Sequence, residues 1–340
     1  MTTFMRSEAL EAPRIVEEQF SENQQILDEV AQFLNQKNPY SLISIARGSS
    51  DHAAQYLNYL ATTKMGKLTT SLSPSALTVY QSELDVSKSI GFAISQSGQS
   101  PDIIKPIEYL RSHNAPTFAL VNDINSPLAK ASEWMIPLHA GPEKAVAATK
   151  SFIASLTASA AIIATWKNDL ELTRGLHHLP EDLLKAQKLD WTPAIKTLKE
   201  AKRIMIVGRG YGLALALEAS LKLKETCGIQ AEAFSAAEIK HGPQALIEDN
   251  YPLLIFANRG PALVSMLDLA ADMKERGANV ILAAPSFVKE KQLEIQTTHA
   301  EELDIITAIQ SFYLMVEELS RSLGLNPDNP KHLSKITKTI

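Results

Sequence analysis

The chain has 340 residues, 45% of them hydrophobic and 21% charged, with a net charge of −5 and a pI near 5.9. That balance suits a soluble globular protein with one large core or two ordinary ones, and it excludes a basic field that would draw in nucleic acid. An anionic substrate must then be held by local groups, and the single cysteine, Cys227, rules out an internal disulfide.

Residues 1–36, opening MTTFMRSEALEAPRIVEEQF, are charged and amphipathic without the apolar core of a signal peptide. They are expected to form a helical arm, and the expected address is the cytoplasm. A first α/β unit is expected over 37–165. It opens with LISIA (Leu42–Ala46) running into Arg47-Gly48-Ser49-Ser50, a short apolar strand followed by a glycine turn and a helix. IGFAIS (Ile90–Ser95) and TFALV (Thr117–Val121) read as its next strands. The run ASLTASAAIIATW (Ala154–Trp166) is too short and too rich in small residues to span a bilayer, so a buried helix and no membrane partner are expected.

Residues 145–200 read as a helical connection with Pro180 and Pro193 as breaks, the stretch 166–200 being the linker proper. A second unit is expected over 201–323. It opens with IMIVG (Ile204–Gly208) and Arg209-Gly210-Tyr211-Gly212, continues through PLLIFA (Pro252–Ala257) and NVILA (Asn279–Ala283), and ends in a helix from about Glu301 to Leu323. A polar tail, 324–340, closes the chain.

The two units repeat. Gly48 and Gly210 are 162 residues apart, and the same offset carries Ala54 onto Ala216, Gly66 onto Gly228, Gly98 onto Gly260 and Leu120 onto Leu282. A constant offset through three strands and their glycines marks a duplicated supersecondary unit. Strands alternating with helices predict an α/β fold: two tandem, flavodoxin-like, doubly wound parallel sheets with helices on both faces. In such sheets ligands sit outside the carboxyl ends of the strands.

Where the repeats differ, chemistry is expected. In the first unit the second strand runs into Ser95-Gln96-Ser97-Gly98-Gln99-Ser100 ahead of a helical pattern. Three hydroxyls, an amide and backbone N–H groups at a helix start suit a phosphate dianion, with Ser49 and Ser50 beside them. For one serine alone the plain reading is an N-cap or turn. The matching stretch of the second unit, Ala257-Asn258-Arg259-Gly260-Pro261-Ala262, lacks the serines, so one phosphate site per chain is expected.

The second unit carries Lys222 and Glu225 in LKLKETCG, then Glu238, Lys240 and His241 in AEAFSAAEIKHGP. Glu225 falls on Thr63 and His241 on Val79, so the first unit has no acid/base pair there. A glutamate and a histidine converging on a phosphate-anchored sugar suit proton transfer and ring opening. By spacing alone, Glu225 is an exposed helix residue and His241 a loop cap. His177-His178 lacks further ligands at zinc spacing, His52 reads as structural or as a substrate contact, and Cys227 reads as packing. No metal site and no cofactor are expected, since neither a Walker motif nor a Rossmann glycine pattern occurs.

Taken together, FMRSEALEAP, ISQSGQS, VAATKSF, the KLKE helix, AEAFSAAEIKHGP and DNPKHLSKIT resemble the sugar-isomerase (SIS) family, in particular the isomerase half of glutamine–fructose-6-phosphate aminotransferase, over nearly the whole chain. The resemblance implies phosphate binding by Ser50, Ser95, Gln96, Ser97 and Ser100, with Val146 also a substrate contact. It implies a proton shuttle between C1 and C2 at Glu225 with Lys222 beside it, and ring opening by His241 contributed across a homodimer interface. Through Asp328, Pro330, Leu333 and Lys335 it implies a tail lysine able to form an imine with the open-chain ketose.

Two departures shape the expected activity. No glutamine-hydrolysing domain stands in this sequence, and Ala148, within Val146-Ala147-Ala148-Thr149-Lys150, replaces a serine of the family pattern. The expected reaction is therefore the reverse one, conversion of glucosamine 6-phosphate to fructose 6-phosphate and ammonia. Galactosamine 6-phosphate, a fructose-amine phosphate and a non-catalytic sensing role are the alternatives.

Overall fold

The computed structural model describes residues 2–335; Met1 and residues 336–340, the end of the expected tail, lie outside the described residues. The chain divides into two compact units, one of residues 14–143, 150–177 and 334–335, the other of residues 2–13, 144–149 and 178–333.

The first unit holds a five-stranded sheet. Strands β1 (Ser41–Ile45), β2 (Leu68–Ser71), β3 (Ser89–Ser95), β4 (Thr117–Val121) and β5 (Trp134–Pro137) are all parallel, in the order β2-β1-β3-β4-β5. All five residues of β4 are buried, as are all but the first of β3. The interiors of these central strands are apolar rather than alternating because helices cover both faces. Ile43, Ala93 and Ala119 pack under Ile107 and Leu110, and Phe92 stacks on Phe118 with centroids 4.7 Å apart. At the edge, β2 is solvated on most positions and is built from threonine and serine accordingly.

The second unit repeats the winding. Strands β6 (Arg203–Gly208), β7 (Gln230–Ser235), β8 (Pro252–Phe256), β9 (Asn279–Pro285) and β10 (Leu293–Ile295) are parallel, in the order β10-β9-β8-β6-β7. The aligned glycines Gly66 and Gly228 have φ of +64° and +65°. Each closes the helix after its unit's first strand, with Lys67 N–H donating to Ala61 O and Ile229 N–H to Leu223 O at 3.2 Å. That left-handed closure is the reason glycine recurs at the offset.

The run Ala154–Trp166 lies in the helix Lys150–Lys167, which is buried along nearly its whole length and packs against the helices Ser49–Met65 and Gln24–Lys37. Its hydroxyls are satisfied by the preceding turn, as in Ser155 Oγ donating to Ser151 O at 2.8 Å and Ser159 Oγ to Ser155 O at 2.7 Å. Among the described residues no helix is long and apolar enough to cross a membrane.

Pro180 is a correction to the sequence reading: it lies inside the helix Leu170–Ala186 and does not end it. Leu172, Leu176, Leu179 and Leu183 recur at helical spacing and are all buried. Four buried leucines contribute roughly 6–12 kcal/mol against about 3 kcal/mol for an internal proline, so the apolar face wins. Pro193 stands in the first turn of the helix Thr192–Leu198, where it starts a helix.

Candidate active site

In the first unit the winding reverses between β1 and β3, which pair directly. Their carboxyl ends therefore frame the crevice where an open parallel sheet offers a ligand site. The end of β1 delivers Arg47 and Gly48, and Ser49 and Ser50 open the helix Ser49–Met65. Ser95 is the last residue of β3, and Ser100 is the N-cap of the helix Pro101–Ser112, its hydroxyl making no capping bond. Gln96, Ser97, Ser100 and Ser50 are all half-buried.

Backbone geometry shapes this loop. Gly98 N–H donates to Ser95 Oγ at 3.0 Å and Gln99 N–H to Ser97 Oγ at 3.3 Å. Gly98 has φ +61°, and a Cβ there would stand 2.2 Å from Ser126 Oγ, so only glycine fits. The Arg47 guanidinium, on the β1 side, donates from Nε to Asp102 Oδ2 at 2.8 Å, in the first turn of the helix on the β3 side. Arg47 is half exposed while the Asp102 side chain is 3% exposed, so a cation faces outward at the crevice. Burial raises the pKa of Asp51, against the influence of His52, a Ser71 hydrogen bond and Arg47.

The same unit contains Lys335. Its Nζ donates to Glu143 Oε2 at 3.1 Å. The Glu143 side chain is fully buried and also accepts from Ser151 N–H at 3.2 Å and Ser151 Oγ at 2.7 Å. Glu143 thus combines the start of the helix Lys150–Lys167 with the tail lysine. The sequence reading missed it; the available signal was a lone acid in Gly141-Pro142-Glu143 shortly ahead of a helix, where a carboxylate caps the N-terminus.

In the second unit, the helix Gly212–Cys227 follows β6. Lys222 Nζ is 2.5 Å from Glu225 Oε2 and 3.5 Å from Glu218 Oε1, with side-chain exposures of 1% for Lys222, 0% for Glu218 and 21% for Glu225. Spacings of three and four place all three on one helix face. Glu218 Oε1 also accepts from Tyr313 Oη at 3.0 Å, on the helix Asp304–Ser322. Glu218 and Tyr313 are absent from the sequence reading; a glutamate one turn before Lys222 was legible as a helix ion pair, but its tyrosine partner lies 95 positions away.

Val146 N–H donates to Asp328 O at 3.1 Å. The Asp328 carboxylate accepts from the backbone N–H groups of Phe4 and Met5 at 2.8 and 2.7 Å. The aspartate of the tail motif thus caps the helix Phe4–Leu10. His241 stands in an exposed turn after the short helix Ala236–Ile239, its N–H donating to Glu238 O at 2.9 Å. Among the described residues it makes no hydrogen bond to Glu225 or Lys222. Cys227 is buried, and that burial pushes its thiol up to about 11, as suits a packing residue.

The loop in the second unit that matches the serine loop is differently filled. Arg259 donates from Nε to Asp304 Oδ2 at 2.6 Å and from Nη2 to Asp304 Oδ1 at 2.8 Å. Thr298 donates to Asp304 Oδ1 through its N–H at 2.8 Å and its Oγ1 at 3.0 Å. Here the protein supplies its own carboxylate to the loop's cation.

The sequence model of the SIS domain matches residues 33–165 and 197–317. The glutamine–fructose-6-phosphate aminotransferase (isomerizing) of Sulfurisphaera tokodaii is 30% identical over 335 residues, which is 98% of this chain and 56% of that protein. The chain therefore spans about half the length of the curated relatives it matches. Among solved structures, a candidate phosphosugar isomerase of Silicibacter pomeroyi DSS-3 superposes with a TM-score of 0.91 at 37% identity, over 96% of this chain and 100% of the other. A glucosamine-6-phosphate deaminase of Thermotoga maritima shares the fold at 19% identity with a TM-score of 0.71, over 96% of this chain and 100% of that one.

Proposed function

This chain belongs to the SIS domain family, and from that premise we propose that it is a sugar-phosphate enzyme with isomerase chemistry, acting as a glucosamine-6-phosphate deaminase. The observation that carries the reading is the Lys222–Glu225 pair: a carboxylate with solvent access held against a fully buried lysine. That is the arrangement a base needs if it must take a proton from carbon and return it to the neighbouring carbon.

The steps balance without an external redox partner. The serine loop, through Ser50, Ser95, Gln96, Ser97 and Ser100, holds the phosphate. His241 opens the ring, supplied by a second copy of the chain in a homodimer. Glu225 removes the C2 proton as the C1 oxygen takes up a proton and the C1–C2 enolamine forms, and then delivers the C2 proton to C1 as the nitrogen gives one up, leaving an imine at C2. Water adds to that imine, directly or after its transfer to Lys335, and ammonia leaves with fructose 6-phosphate as the other product. The Thermotoga maritima deaminase supports the reading in that one such enzyme shares the fold over its full length.

Ala148 favours a second reading. It offers no hydroxyl where the family pattern has a serine, which leaves room for a different amino-sugar phosphate, such as galactosamine 6-phosphate. The test is release of ammonia and ketose phosphate from each sugar without added glutamine. Stoichiometric release from glucosamine 6-phosphate is expected. Turnover of galactosamine 6-phosphate alone moves the assignment to that sugar, and silence on both overturns the deaminase reading in favour of a deglycase for a fructose-amine phosphate or a sensing role.

A further inference from the structure

The pair Lys222–Glu225 is the outer end of a longer chain of contacts. Tyr313 Oη donates to Glu218 Oε1, and Lys222 stands between Glu218 and Glu225. Exposure rises along it, from none at Glu218 to 21% at Glu225.

The duplicated fold contains its own control. At the offset of 162, Glu218 falls on Tyr56 and Lys222 on Leu60, both fully buried in the helix Ser49–Met65. At these two positions the matching helix packs without charge. A buried ion cluster is no more stabilising than apolar packing of the same volume and is often less so. Folding alone therefore gives no reason for Glu218 and Lys222 to be charged.

We propose that Glu218 and Tyr313 are positioning residues for proton transfer at Glu225: Glu218 keeps the enclosed Lys222 an ammonium, and Tyr313 fixes the Glu218 oxygen that does so. The inference rests on the reading of Glu225 as the proton shuttle and deepens it. Burial favours the neutral form of an amine unless an opposite charge stands close, and the fully buried carboxylate supplies that charge. Glu218 also sets the balance of the reaction step. With it, a carboxylate still faces the Lys222 ammonium after Glu225 has taken up a proton.

The test combines nitrogen NMR of labelled lysine side chains with steady-state kinetics. The unaltered protein is expected to show a slowly exchanging ammonium resonance, assigned to Lys222 by its loss in Lys222→Met. Glu218→Gln, which keeps an acceptor for Tyr313, is expected to shift that resonance or speed its exchange and to lower kcat roughly tenfold or more, with KM for the sugar phosphate within about threefold. Tyr313→Phe leaves every charge in place and is expected to lower kcat with KM unchanged. A folded Glu218→Gln protein that retains the resonance unchanged and full kcat overturns the proposal. So does a kcat loss that only tracks the folded fraction. Should Glu218→Gln fail to fold, unchanged kcat in Tyr313→Phe overturns it instead. Absence of turnover in the unaltered protein defeats the functional reading, while the resonance still decides whether Glu218 holds the charge on Lys222.

Discussion

Lys335 Nζ lies 3.1 Å from the Glu143 carboxylate oxygen that also accepts the hydroxyl of Ser151. One fully buried side chain thus joins the tail lysine to the first turn of an 18-residue helix. Glu143→Ala would leave Ser151 without its acceptor and the helix without its carboxylate. The expected loss in urea unfolding is about 1–3 kcal/mol. Glu143→Gln, which can still accept from Ser151, is expected to lose about half of that. Equal losses would show that charge, rather than the acceptor geometry, carries the stabilisation.

Glu225→Gln keeps the shape of the helix face and removes the base. The expected outcome is a fall in ammonia release of roughly two to four orders of magnitude. Binding of the sugar phosphate, measured by calorimetry, is expected to stay within about threefold. A variant that releases ammonia at the unaltered rate would remove Glu225 from the mechanism.

Gly98→Ala places a methyl group against Ser126, whose hydroxyl accepts from Ala129 N–H at 3.3 Å and cannot move away without breaking its own helix cap. It also forces an L-residue to φ +61°. Together these are expected to cost about 2–4 kcal/mol. The serine loop would be displaced, with KM raised and kcat affected less. Thermal unfolding and steady-state kinetics on one preparation check both effects.

Cys227 yields a prediction about pH. Burial raises its thiol from the ordinary value near 9.0 to about 11. A group with a raised folded pKa stabilises fully below its unfolded pKa, and that stability is lost as pH rises through the folded value. Stability should therefore fall between about pH 9 and pH 11, by at most about 3 kcal/mol from this group. Cys227→Ala is expected to flatten that part of the stability–pH curve at the cost of a small cavity. The native thiol should also react with a neutral thiol reagent only at the rate of local opening. Rapid native-state labelling at pH 8 would contradict its burial.

The legible part of the fold was the part buried on both faces. Strands β1, β3 and β4, with their counterparts β6, β8 and β9, are apolar runs and recur at a fixed offset, so the sequence displays them directly. Strands β2, β5, β7 and β10 lie beyond that reading. They are short or half-solvated, like Leu68–Ser71 and Leu293–Ile295, and their residues follow the solvent rather than a strand pattern. Pro180 misled for a related reason, because a local rule was outweighed by a buried leucine face.

The candidate site divides in the same way. Ser95 to Ser100 and the Lys222–Glu225 spacing are local patterns. The pairs outside these patterns, Arg47 with Asp102, Glu143 with Lys335, and Glu218 with Tyr313, span 55 to 192 positions. No spacing rule reaches that far.

The Asp328 cap makes three separate stretches of one unit report on a single event. Its carboxylate accepts from the N–H groups of Phe4 and Met5, and its carbonyl accepts from Val146. Lifting this stretch of the tail would open all three amides to solvent at once, including that of Val146, itself an expected sugar contact. Hydrogen exchange at Phe4, Met5 and Val146 should therefore rise and fall together, as a built-in gauge of tail docking that can be read before any substrate is identified.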